Sequence, residues 1–248
     1  MGAPRMTERS DKGGFPTTMR SQLALVKSAD PAARSRSFEA LTLAYYKPVY
    51  KYTRVRWRKP EDEARDIAQD FFATAFEKNT FAAYDPDKAR FRTYLRMCLD
   101  RFVSKRDRAG RALKRGGATI SVPLDFNEVE RELAGAPFGE PPEDYFDVEW
   151  TRHLLASAVD TLRAECTAKG KLVHFQVFER YDLHPDDAPR PSYADVAGAL
   201  GIPLTDVTNR LAYARREFRR LVLERLQTIT ATEEEFRSEA FAVLGIRL

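Results

Sequence analysis

Three histidines (His153, His174, His184) and two cysteines (Cys98, Cys166) are the side chains that would first suggest catalysis or metal binding. They are scattered. No pair of histidines stands at a metal-ligand spacing, and each cysteine sits inside an apolar helical pattern. That excludes a disulfide framework and a Cys-rich zinc site, and it fits a reducing compartment. The sequence has no Gly-rich phosphate loop, no nucleophile elbow and no paired metal ligands. We therefore assign no catalytic residue, metal or cofactor, and the chain reads as a non-enzyme. What its residues suit is the recognition of charged partners.

The net charge is only +4, and its distribution says more than the sum. One basic cluster runs from Lys88 to Arg115 and includes Arg90, Arg92, Arg96, Arg101, Lys105, Arg106 and Arg108, opposed only by Asp100 and Asp107. Phe91, Tyr94 and Phe102 are interleaved with it. Cations mixed with aromatics suit single-stranded or melted DNA, because phosphates need positive charge and unstacked bases need π-faces. The spacing of the same aromatics also suits a core. A second basic cluster runs from Arg210 to Arg225. A third feature is acidic: Asp62, Asp66, Gln69 and Asp70 line one side of a helix, opposite Ile67 and Phe71. Such a stripe is equally an interface for a basic partner or a solvated face.

These groups need elements to carry them. The chain has 248 residues, 43% hydrophobic and 31% charged. That is enough for one large domain or two to three small ones. No apolar run approaches the roughly eighteen residues of a membrane helix, and Met1 to Lys27 shows no secretory signal, so a cytoplasmic location without membrane insertion is expected. Apolar residues recur at three and four, and strand alternation is nearly absent, so the expected fold class is all-α. Helices are expected near Ala32 to Trp57, from Pro60-Glu61-Asp62 onward, along Phe91 to Val103, over Leu154 to Leu162 and Leu172 to Tyr181, and around Glu233 to Leu244. Residues 1–20 are expected to be a flexible N-terminus. Between the basic clusters, nine acids from Asp125 to Glu149 face a single base, Arg131, and Gly135, Pro137, Gly139, Pro141 and Pro142 break helices. This divides the chain into two small helical domains, 21–115 and 150–227, an acidic linker 116–149 and a C-terminal helical extension 228–248.

The sharpest local pattern spans Ser192 to Arg220. Ser192 with Asp195 forms a capping box that starts a helix. Val196, Ala197 and Leu200 face inward, Gly201 supplies a positive-φ turn, Ile202 fills the space between helices, and Pro203 starts the second helix. Val207, Leu211, Phe218 and Leu221 hold that helix down. Thr205, Asp206, Thr208, Asn209, Arg210, Tyr213 and Arg216 face outward. This is the layout of a helix-turn-helix whose second helix enters a major groove. Asn209 suits adenine, and Arg210 suits guanine or phosphate. Arg215, Arg216, Arg219 and Arg220 lie later, as phosphate or solvent contacts. A plain helical hairpin with a solvated basic face is the other reading of this pattern.

With these segments in place, the chain resembles bacterial sigma factors of the extracytoplasmic-function group along nearly its whole length. Phe38-Glu39-Ala40-Leu41, Tyr45 to Tyr50, Glu61 to Phe72 and Phe91 to Leu95 resemble the promoter-melting region 2. Ser192 to Ala197 and Leu200 to Pro203 resemble region 4. Phe15-Pro16-Thr17-Thr18, Lys114-Arg115-Gly116-Gly117 and the C-terminal extension resemble a subgroup linked to Ser/Thr protein kinases. The resemblance implies partners: core RNA polymerase, through its β′ coiled coil and β flap, and promoter DNA. It implies that Asp62, Asp66, Gln69 and Asp70 bind core polymerase. It places Arg92, Tyr94, Arg96, Arg101, Lys105, Arg106 and Arg108 at the −10 element and the outward helix-turn-helix residues at the −35 element. The linker resembles the connector that threads the polymerase channel.

Thr208 and Tyr213 are uncharged where many family members carry basic residues, and Asp206 adds an acid, so no promoter sequence is implied. An autonomous helix-turn-helix regulator that works without polymerase is the alternative. It would bind duplex DNA on its own, usually as a dimer. The family is commonly held by anti-sigma proteins, and the kinase-linked subgroup brings in phosphorylation. Thr53 and Thr74 flank the acidic helix, but Asp62, Asp66 and Asp70 already supply the negative charge a phosphate would add.

Overall fold

The computed structural model describes residues 22–109, 124–134, 143–185 and 189–248. The N-terminus 1–20 with its Phe15 to Thr18 opening, the Lys114 to Gly117 exit and the helix-breaking Gly135, Pro137, Gly139, Pro141 and Pro142 lie outside the described residues. Among the described residues all regular structure is helical, so the fold is all-α.

A single turn, α1 (Gln22–Leu25), precedes the long helix α2 (Pro31–Val55). Asp30 opens α2: its carboxylate accepts from the Ala32 N–H at 3.0 Å, with proline at the first helical position. Helix α3 (Glu61–Glu77) follows Pro60 and carries Glu61, Asp62 and Glu63 in its first turn, at the positive end of the helix dipole. A 3₁₀ turn at Thr80–Ala83 leads to α4 (Phe91–Ala109). Leu41, Tyr45 and Val49 of α2, Ile67, Phe71 and Phe72 of α3, and Leu95, Leu99 and Val103 of α4 bury against one another. Phe38 meets Phe72, Phe76 and Phe81, and Phe71 meets Phe102 edge-on at 5.7 Å. Phe91 and Phe102 thus belong to the core, the second of the two readings their spacing allowed.

The expected linker differs from a tether. Within it lies α5 (Phe126–Ala134), which buries Phe126, Val129 and Leu133 against α2. Those residues stand at helical spacing, and the acids between them pair with the bases of α2. Lys47 reaches Glu128 at 2.8 Å and Glu132 at 3.1 Å, Lys51 reaches Glu132 at 2.6 Å, and Arg54 reaches Glu130 at 2.6 Å. The carboxylates read as linker charge are therefore neutralised by a neighbour 76 to 85 residues away in sequence.

The expected boundary between residues 149 and 150 falls inside a helix. Helix α6 (Tyr145–Ala168) packs its first half on α2, where Trp150 stacks on Tyr45 at 6.3 Å and Phe146 meets Tyr52 edge-on at 5.5 Å. Its second half packs on α7 (Leu172–Asp182) and α9 (Leu204–Ile229). Helix α8 (Tyr193–Leu200) joins α7 and α9, and α10 (Glu233–Leu244) closes the chain. Phe175 and Phe178 are buried as the stripe predicts, but Leu172, at the first position of α7, is exposed. Buried apolar residues from Leu23 to Ala240 form one continuous core, so the two expected domains share their packing through α6.

Two outcomes follow from this arrangement. Replacing Trp150 by Ala should cost about 3–5 kcal/mol, as for other buried aromatics. Fluorescence and circular dichroism should show both halves melting together in urea, and two separate transitions would contradict a shared core. Hydrogen bonds from Arg54 and Tyr50 hold Glu130 below the ordinary glutamate value of 4.5. Burial pushes Glu132 up, but Lys51 and Lys47 outweigh it and hold that carboxyl low as well. A depressed folded-state value stabilises docking above the ordinary value and loses that stabilisation as pH falls through the folded one. Helix α5 should therefore begin to undock as pH drops below 4.5, which methyl NMR shifts of Val129 and Leu133 would report.

Candidate nucleic-acid and partner interfaces

The acidic stripe of α3 divides in two. Asp62, Asp66 and Gln69 are exposed, and neither aspartate makes an ion pair among the described residues. Asp70 is half-buried and pairs with Arg106 of α4. The outer carboxylates are thus available to a basic partner, and the innermost one ties α3 to α4. The stripe lies opposite buried Ile67, Ala68, Phe71 and Phe72, so packing against α2 and α4 sets its orientation.

Helix α4 divides along its length. Arg101, Lys105 and Arg108 stand at i, i+4 and i+7, are exposed, and make no ion pair among the described residues. Nearer its start the expected contacts turn inward. Arg92 is only 7% exposed, lies 4.6 Å over the Trp150 ring, and sits 3.3 Å from Glu239 and 3.4 Å from Asp147. Arg92, expected at DNA, is enclosed by α6 and α10 in this arrangement. Tyr94 is half-buried and donates its hydroxyl to the Thr80 carbonyl at 2.8 Å. Burial first, then Cys98, pushes that hydroxyl up to about 12. Arg96 donates to the Glu143 carbonyl at 3.3 Å. The open part of the basic helix is therefore its second half. Sequence reading missed the anchor between these halves, where Trp57 Nε1 donates to Asp100 at 3.0 Å and the Tyr52 hydroxyl lies 3.4 Å from the other carboxylate oxygen.

The helix-turn-helix forms as its residues require. Ser192 accepts from the Asp195 N–H at 3.2 Å, and the Asp195 carboxylate accepts from the Ser192 N–H at 2.8 Å, completing the capping box. Gly201 has φ of 63° at the turn, a conformation other residues adopt at a cost of about 1–2 kcal/mol. Val196, Val207 and Leu211 are buried, and Ile202 packs between the helices. The outward face of α9 is only partly free. Thr205, Thr208, Asn209 and Arg216 are exposed. Asp206 holds Arg210 at 2.9 Å. Tyr213 is flanked by the Lys171 ammonium at 4.3 Å and the Arg216 guanidinium at 5.3 Å, with His174 edge-on at 4.9 Å. Burial lowers the His174 pKa, and the nearby Arg210 and Lys171 charges reinforce this, so the ring favours its neutral form.

The later arginines of α9 are not equivalent. Arg215 makes two bonds to Asp182, both at 2.7 Å. Arg220 is tied to Glu165, Glu217 and Glu224 at 2.8 to 3.1 Å. Arg225 donates to the Ser157 carbonyl at 2.8 Å. Arg215 and Arg220 are expected from sequence as phosphate or solvent contacts, whereas packing turns them, together with Arg225, into braces between helices. Thr53, named as a phosphorylation candidate, is fully buried and donates to the Val49 carbonyl at 2.8 Å, so a kinase cannot reach it in this arrangement. Among the described residues no His, Cys, Asp or Glu cluster is arranged to hold a metal ion, and no helix is long and apolar enough to cross a membrane.

The two classes of arginine predict different salt behaviour. Arg216→Ala should reduce the salt dependence of duplex binding by about one phosphate contact. Arg215→Ala should change that slope less, because two short bonds to Asp182, which also pairs with Arg190, hold its guanidinium on α7, whereas Arg216 has only Glu217 at 3.6 Å. Fluorescence anisotropy across a salt series measures both, and equal slopes for the two variants would contradict the division. No family model, curated protein or solved structure matches the chain.

Proposed function

We propose that this chain is an alternative sigma factor that binds core RNA polymerase and directs promoter recognition and melting, in the cytoplasm and without enzymatic chemistry of its own. One observation carries the reading. A single chain pairs an exposed acidic face (Asp62, Asp66, Gln69) with an exposed cationic face on the adjoining helix (Arg101, Lys105, Arg108), and also carries a helix-turn-helix that a capping box opens. A free-standing helix-turn-helix regulator has no need for the first two surfaces. The carboxylates suit a basic docking partner, the core polymerase coiled coil, through charge complementarity. The α4 cations suit the melted strand, and Thr205, Thr208, Asn209 and Arg216 suit duplex bases and phosphates. Holding flipped bases costs a few kcal/mol each, which is why polymerase contacts must assist. An anti-sigma protein or a Ser/Thr kinase acting on a site other than Thr53 fits as the controlling partner.

The test mixes purified chain with core polymerase and a library of promoter-like DNA. Asp62→Lys/Asp66→Lys is the informative control, because it reverses the exposed charges without breaking the Asp70–Arg106 pair. Core association should fall at least about tenfold in this variant, and polymerase-dependent transcripts should vanish with it. Tight duplex binding by the wild type, with no core association, would instead make the chain an autonomous regulator.

A further inference from the structure

The C-terminal helix performs an unusual task for an extension. Helix α4 is preceded by Arg90, whose side chain has no acceptor to offer the first N–H groups. Glu235 of α10 supplies it: one carboxylate oxygen accepts from the Phe91 N–H at 2.8 Å and from the Tyr84 hydroxyl at 2.7 Å, and the other accepts from the Ala231 N–H at 2.7 Å. One turn later, Glu239 faces Arg92 at 3.3 Å and Arg90 at 3.8 Å. Arg90 also donates to Ser238 at 2.8 Å. The helix itself starts from Thr232, whose hydroxyl accepts from the Glu235 N–H at 3.1 Å. Its apolar side buries Phe236 and Ala240 and packs Val243 and Leu244 against the core, with Phe241 exposed. Twelve residues are too few for a stable isolated helix, so α10 persists through this docking. A twelve-residue helix that depends on docking can open locally while the rest of the fold stays intact.

We propose that α10 is an intramolecular latch. Its carboxylates occupy the start of the cationic helix α4 and keep Arg90, whose side chain pairs with Ser238 and Glu239 of α10, from nucleic acid, and its release extends the open α4 surface from Arg101, Lys105 and Arg108 back to Arg90. The inference rests on reading α4 as a nucleic-acid surface. It assigns the extension a regulatory role: whatever frees α10 completes that surface.

The experiment uses the full chain and a labelled, mixed-sequence single-stranded DNA oligonucleotide. Thr232→Ala removes the α10 cap without touching α4 and should speed α10 hydrogen exchange about fivefold. If binding draws on the open form, oligonucleotide affinity rises by the same factor, and Arg90→Gln added to Thr232→Ala abolishes the gain. Glu235→Gln/Glu239→Gln is a second route to release and should act in the same direction. The latch is overturned if either route leaves α10 as protected as in the wild type. It is equally overturned if α10 loosens with no gain in affinity, or if the gain survives loss of Arg90. Core polymerase association of the same preparations separates the two readings. A loosened chain that gains oligonucleotide but never binds polymerase keeps the latch and removes the sigma reading. A polymerase-binding chain that loosens and gains nothing does the reverse.

Discussion

A buried lysine constrains most of this structure. Lys51, in the middle of α2, is 5% exposed, and a charge so enclosed is tolerable only with close partners. It finds two, Glu149 at 2.8 Å on α6 and Glu132 at 2.6 Å on α5. Glu149 is itself 3% exposed, and it also pairs with Arg152. Burial pushes the Lys51 ammonium below its ordinary pKa, and Glu132 opposes that push by favouring the charged form. Meeting this demand draws both α5 and the first half of α6 onto α2. Trp150, next to Glu149, then stacks between Tyr45 and Arg92, so one ion pair and one aromatic side chain set the register of α6.

Because α6 continues past this contact into the packing of α7 and α9, the helix-turn-helix is braced by the same element that closes the first bundle. The braces are charged. Arg220 binds Glu165 of α6, Arg225 binds Ser157 and Thr161 of α6, and Arg215 binds Asp182 of α7. They leave the early, exposed turns of α9 to face outward. The cations of α4 are sorted in the same way: Arg106 secures α3, Arg92 secures α6 and α10, and Arg101, Lys105 and Arg108 are left open. A modest net charge of +4 thus hides two classes of arginine, structural and available. Only the second can contribute counterion release on binding nucleic acid.

Much of the fold was legible in the sequence because its signals are local. Helical periodicity, the Ser192–Asp195 capping box, Gly201 at the turn and the acids at the start of α3 each act within a few residues. The expected final helix, Glu233 to Leu244, coincides with α10. Helix α5 was also signalled locally, by Phe126, Val129 and Leu133 at helical spacing, but its many acids and the surrounding prolines and glycines suggested a tether. The carboxylates are stabilising there only because Lys47, Lys51 and Arg54 face them.

By itself the sequence determined the helical class, the helix-turn-helix and the types of residue offered to partners, because caps, turns and amphipathic faces are short-range properties of the chain. Tertiary structure alone decided which cations are free. Helical phase puts Arg92 on the side of Leu95 and Leu99 and Arg101 on the opposite side, but only packing supplies the Trp150, Asp147 and Glu239 that enclose Arg92 while Arg101 faces outward. Glu235 reaches the start of α4 across 144 residues, a pairing no local pattern encodes. Such contacts depend on which helix faces the shared core buries, and that is fixed only when all the helices pack together.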